Sequence, residues 1–148
     1  MATPTSVLLV ELVMSVDRLI ESAKKATSKP GQWSPQVALG HVAQVDEEVW
    51  LPRVKLMVEA KNNNGGEPKF SWWEPDGKIT EEMFAEKSLE DVAALVMQTR
   101  TRLVTYLRNL TPEQWEARAT HATLGSIAVG ELIFQTLSHD EEHRASFV

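Results

Sequence analysis

The sequence predicts an all-α fold, a four-helix bundle, and three observations carry that prediction. Every long apolar pattern recurs at three and four residues, clusters of Gly, Pro and Asn separate those patterns, and no segment alternates apolar and polar residues as a half-buried strand would. The 148 residues, 43% hydrophobic and 24% charged, suit one domain over 1–148 built on a single core.

Helix one runs from about Ser6 to Lys25, where Leu9, Leu12, Val13, Val16, Leu19 and Ile20 form an amphipathic stripe. Its opening Val7-Leu8-Leu9-Val10 is interrupted by Glu11 and preceded by no basic segment, so it reads as the start of a core helix and not as a signal peptide. Turn chemistry over 28–32 leads to Ser34-Pro35, an N-cap residue ahead of a proline at the first helical position. Helix two then continues through Val42, Val45 and Val49 toward Ala60. Pro52 in its interior removes the amide that would bond the Glu48 carbonyl, which predicts a kink.

Residues 61–87 hold Asn62-Asn63-Asn64-Gly65-Gly66, Trp72-Trp73 and Pro75-Asp76-Gly77, the composition of a long connection with one helical turn near Glu81 to Ala85. Ser88 and Asp91 cap helix three, whose Val92, Val96, Leu103, Tyr106 and Leu110 share a face. Thr111-Pro112 opens a short helix carrying Trp115. Gly125-Ser126 introduces the last helix, with Val129, Leu132, Ile133 and Leu137 inward. The short connections on either side of the long middle one make helices one and two, and three and four, antiparallel. Met14, Met57, Met83 and Met97 read as core fillers, and Trp72, Trp73 and Trp115 as either a pocket mouth or the cap of a bundle end.

The charge of −6, with no cluster of Lys and Arg, argues against nucleic acid as a partner. No apolar run approaches the roughly twenty residues that cross a bilayer, so a cytoplasmic domain without membrane insertion is expected. The absence of Cys removes disulfides and thiolate ligands, leaving His and carboxylates as the charged groups that can hold a metal.

His139 and His143 lie four apart on one face of the last helix, where two imidazoles can converge on one ion. A solvated helix end flanked by Asp140, Glu141 and Glu142 is the plainer alternative. The zinc-protease pattern fails, because Asp140 stands where those enzymes carry Glu. His41, on the valine-rich inner side of helix two, is the candidate third ligand, its alternative being a core histidine bonded to a neighbouring helix. Three His ligands would leave a coordination position open, as catalytic sites do. Glu48, two turns after His41, and Gln135 with Thr136, one turn before His139, are candidates for acid–base or supporting roles, although residues so placed are more often packing or solvent-facing. His121 reads as a loop residue outside the set. Asp140 and Arg144 are spaced for a surface ion pair.

Three blocks in this order resemble the DinB/YfiT-like group of four-helix metalloenzymes: Trp33-Ser34-Pro35 followed by His41, then Gly125-Ser126-Ile127-Ala128-Val129-Gly130-Glu131-Leu132, then His139-Asp140-Glu141-Glu142-His143. The resemblance covers nearly the whole chain. It implies an up-up-down-down bundle, a divalent metal, nickel or zinc, on His41, His139 and His143, and a homodimer. It also implies a small-molecule substrate, with hydrolysis or thiol transfer of the bacillithiol or mycothiol type as the reaction. The alternative is a non-catalytic metal- or ligand-binding bundle of the same fold.

Overall fold

The computed structural model describes residues 4–147. Helix α1 (Thr5–Lys25) turns its Leu8, Leu12, Val16, Leu19 and Ile20 inward, while Val7, Val10 and Val13 remain exposed. Helix α2 (Pro35–Val45) continues through a π-helical turn (Asp46–Trp50) into α3 (Leu51–Asn62). In that widened turn the Leu51 amide bonds the carbonyl of Asp46, so the kink expected at Pro52 takes the form of one enlarged turn placed just before the proline.

The long connection contains a two-residue strand β1 (Lys69–Phe70) and a helix α4 (Gly77–Phe84), two turns long instead of the single turn expected. The Asp76 carboxylate caps α4 by accepting the amides of Lys78 and Ile79, so the helix starts earlier than its apolar pattern suggests. Helix α5 (Leu89–Arg108) is capped by Ser88, and the short α6 (Pro112–Trp115) by a reciprocal Thr111–Gln114 box.

Strands β2 (Arg118–His121) and β3 (Gly125–Ala128) then form a hairpin before α7 (Val129–Ser146). The order is β1-β2-β3, with β1 parallel to β2 and β2 antiparallel to β3. This small sheet corrects two expectations: strands are present, and Gly125-Ser126 belongs to one of them, the last helix starting at Val129. The strands are too short for a period-two pattern to stand out, and β2 turns only Ala119 and His121 fully inward.

Helix directions follow from the pairs in contact. Ser15 bonds Asp140 and Leu8 lies against Gly130, so α1 and α7 run the same way. Leu39 and Val42 share a cluster with Val92 and Val96, and Glu47 pairs with Arg102, so α2 and α5 also run the same way. Leu12 meets Arg100 while Val16 and Leu19 cluster with Val92 and Val96, which sets α1 against α5. The expected four-helix bundle is thus present: in chain order its helices run up, down, down, up, and around the bundle, as α1, α7, α2 and α5 neighbour one another, they run up, up, down, down. A short connection reverses the chain, and only the long 63–88 segment has the length to return it to the same end and make α2 and α5 parallel neighbours.

A buried polar layer divides the core. Leu8, Leu12, Val45, Leu103 and Ile133 belong to one apolar cluster, and Val16, Leu19, Val42 and Val96 to another. Between them Arg100 donates to both oxygens of Asp140 (2.7 and 2.9 Å), both oxygens of Asp46 (3.2 Å each) and the Leu12 carbonyl (3.0 Å). Ser15 donates to Asp140 and Thr99 to Asp46. Every N–H of the guanidinium has an acceptor, which a buried cation requires. Burial pushes the Asp46 carboxyl up to about 6 against the pull of Arg100. Asp140 is thus an internal residue and not half of a surface pair; Arg144 bonds Glu141 instead. Of the four methionines expected inside, Met57 is buried and Met14, Met83 and Met97 are exposed, being off their helices' inner stripes. Trp115 belongs to the core.

Candidate metal centre

The antiparallel contact of α2 with α7 sets His41 opposite His139 and His143. The Nε2 atoms of His41 and His139 are 3.3 Å apart and those of His139 and His143 are 3.2 Å apart. One nitrogen of each ring falls within 4.8 Å of the others, the ligand-type cluster found among the described residues. Trp33 packs on His41 with ring centres 5.1 Å apart, Trp73 stacks at 6.4 Å, and the Trp50 edge meets His139 at 6.1 Å. The π turn that carries Trp50 therefore helps to wall the histidines.

His41 Nδ1 faces Gln44 Oε1 at 3.4 Å, and the Thr80 hydroxyl of α4 donates to the same oxygen at 2.9 Å. An amide oxygen can only accept, so the imidazole proton sits on Nδ1 and the Nε2 lone pair points at the other two rings. Burial, and next the charge of His143, push His41 down to about 4. Burial first, then His143, His41 and Arg100, push His139 down to about 3, and burial lowers His143 too. The rings are neutral near pH 7, the form in which imidazole ligates.

These residues fit a metal. His139 Nε2 lies against two other Nε2 atoms, and its single proton can serve only one of them; its buried Nδ1 has no partner. A cation between the nitrogens satisfies all three lone pairs. Nitrogens about 2.0–2.1 Å from one tetrahedral ion stand roughly 3.3–3.4 Å apart, which is close to the separations seen.

Beside the trio lies a cavity of about 260 Å³ lined by His41, Val45, Val49, Trp50, Arg53 and Trp72, by Trp73, His121, Ile127 and Leu132, and by Gln135, Ser138, His139 and Glu142. Gln135 thus reaches the site. Glu48 does not: it is exposed and lines a separate groove with Met83, Phe84 and Lys87, because the widened turn follows His41 before two regular turns are complete. Thr136 is buried and bonds the Leu132 carbonyl, a packing role. Trp72 and Trp73 line the cavity, whereas Trp115 does not. His121 is not a loop residue; it ends β2, is buried, and faces this cavity while staying outside the trio.

Sequence reasoning missed Glu142 and Arg53. Glu142 follows His139 by three residues and Gln135 precedes it by four, the helical spacing that identifies a shared face. Nothing comparable pointed to Arg53, whose place depends on how α3 meets the sheet.

A four-helix bundle with three converging imidazoles at the edge of a cavity defines a helical protein with a candidate metal centre. The chain belongs to the DinB superfamily, whose family model matches residues 10–146. No curated protein matches it. Among solved structures, YfiT from Bacillus subtilis, described as a probable metal-dependent hydrolase with an unusual four-helix bundle topology, superposes with a TM-score of 0.71 at 18% identity, over 97% of this chain and 83% of that one. A mycothiol-dependent maleylpyruvate isomerase superposes with a TM-score of 0.66 at 12% identity, over 98% of this chain and 61% of that one. The chain thus spans about three fifths of the isomerase's length. At these identities the likeness concerns the fold.

Proposed function

We propose that this protein is a metal-dependent hydrolase of a small molecule, with a divalent ion, zinc or nickel, on His41, His139 and His143. The observation that carries the reading is the convergence of three neutral imidazoles beside an open cavity. When bound, such an ion polarises a substrate oxygen and brings the pKa of water to about 7. The remaining work belongs to the chain. Glu142, on the cavity wall one turn beyond His139, accepts a proton as the general base, and Gln135, one turn before it, orients the substrate by its amide. Trp50 and Trp73 exclude water from the histidine face. Thiol transfer is the second reading, and a binding protein without turnover the third.

A panel of simple esters, amides and phosphoesters, assayed with the metal-loaded protein and with chelator, tests this. Turnover that requires metal and falls at least a hundredfold in Glu142→Gln with metal content unchanged supports hydrolysis. Turnover of none of them, with metal still bound, supports the binder, and turnover only with added thiol supports transfer. A cytoplasmic location and a homodimer belong to the same proposal. The dimer is supported by the apolar stripe of Val7, Val10 and Met14 on α1, which lies exposed. No helix among the described residues is long and apolar enough to cross a membrane.

A further inference from the structure

The cavity is polar at both ends, and its two ends differ in charge. Along α7 it is lined in turn by Leu132, Gln135, His139 and Glu142, and along the antiparallel α2–α3 by Arg53, Val49, Val45 and His41. Glu142 therefore stands at the histidine end and Arg53 at the other. Arg18, Arg100, Arg102, Arg118 and Arg144 each pair with a carboxylate; among the described residues no carboxylate pairs with Arg53 or Arg108, and of these two it is Arg53 that lines the cavity. Its Nη2 donates to the Ser71 carbonyl at 2.7 Å and its guanidinium lies over the Phe70 ring at 4.8 Å, contacts that hold the group in place and leave its charge uncompensated. Burial disfavours that charge, so an anion there would restore what the site lacks.

His121 adds a neutral donor at the same end. Its Nδ1 accepts the amides of Thr123 (3.0 Å) and Leu124 (3.2 Å), which places the ring proton on Nε2, at the opposite edge of the imidazole. Trp72 packs against that ring with centres 4.5 Å apart. The walls between the two ends are apolar: Val45, Val49, Trp50, Ile127 and Leu132.

We propose that Arg53 and His121 form a carboxylate-binding subsite, so that the cavity takes a small organic acid whose apolar body lies between Trp50 and Leu132 and whose other end meets the histidine trio. The assignment rests on reading that trio as the reaction centre, and it adds the class of molecule and its orientation. Glu142 at the opposite end repels the same carboxylate and so enforces one direction of binding.

Tryptophan fluorescence reads occupancy directly, because Trp50, Trp72 and Trp73 line the cavity. Benzoate and its uncharged isostere benzamide are titrated into the metal-loaded protein and into the chelated protein. The expected result is benzoate binding in both forms, about tenfold tighter than benzamide, a charge-assisted pair being roughly twice as strong as a neutral one. Arg53→Gln should remove that preference and leave benzamide binding unchanged, and His121→Gln should reduce it partly. The comparison of the two probes on the unaltered protein needs no variant, so it stands even where a substitution impairs folding. Equal affinity for benzoate and benzamide, or a preference that survives Arg53→Gln, overturns the subsite. Benzoate binding that disappears with chelator does so as well, because the anion would then be held by the metal. The metal reading fails separately, through a purified protein without a stoichiometric ion that still prefers benzoate.

Discussion

At the scale of single residues, the trio behaves as one unit. His41→Ala, His139→Ala and His143→Ala should each lower metal affinity at least tenfold, measured by competition with a chromophoric chelator, while His121→Ala should leave it nearly unchanged. Acidity should act in a defined direction. In the metal-free protein His41 at about 4 and His139 at about 3 lie below their ordinary 6.5, so between those values the unfolded chain binds more protons. Their contribution is present above 6.5 and is lost as pH falls toward 4 and then 3. Asp46 works the other way. Raised from 3.8 to about 6, it favours the folded state at low pH and loses that contribution as pH rises through 6. The lowered histidines outnumber it, so apo stability should fall on acidification. Protons also compete with the ion once the folded imidazoles titrate, so the difference in melting midpoint between metal and chelator should hold near neutrality and shrink as pH falls toward 4. A difference that persists after the imidazoles have taken up protons would mean that histidines do not hold the metal.

At the scale of elements, the polar layer decides how helices meet. Arg100→Met leaves two carboxylates buried without their cation and should cost about 3–5 kcal/mol in urea denaturation, whereas Arg102→Met, which breaks an exposed pair with Glu47, should cost at most about 1 kcal/mol. Gly40 is a second such point: a Cβ there would lie 2.4 Å from the Phe84 ring, so α4 can rest on α2 only over a glycine. Gly40→Ala should destabilise by about 1–3 kcal/mol through displacement of α4. Helices α1, α2, α5 and α7 were legible because their apolar residues repeat over several turns, and the 139/143 pair because helical spacing alone places it. The Arg100 layer was not legible. A charged residue inside a helix reads as surface, and only the meeting of Ser15, Asp46 and Asp140, on three helices far apart in sequence, makes the interior a suitable place for it. The sheet was hidden by its brevity, and Arg53 by its dependence on the strand it braces.

At the scale of the whole molecule, connection length explains helix direction: the antiparallel pairs expected across the short connections, α1 with α2 and α5 with α7, are present. Residues 61–87 were recognised as a long connection, and its length is what lets α2 and α5 lie parallel. Exposed apolar surface also belongs to this scale. If the α1 stripe is the dimer face, Val10→Glu should convert the species seen in sedimentation equilibrium to monomer without loss of helicity or of metal, since Val10 is 60% exposed and touches neither core nor site. A protein already monomeric before the substitution would remove the proposal.

His41 and its partner His139 are 98 positions apart, and α1 is completed against α7, the last of the described helices. A ribosome releases the chain in order, so α2 emerges with its imidazole long before the other two exist. No partial product can bring the three imidazoles together, so a nascent chain would offer an ion only one weak ligand at this site. If the proposed ion is held by this trio, loading must follow synthesis of α7, so bound metal would mark chains that have passed that point.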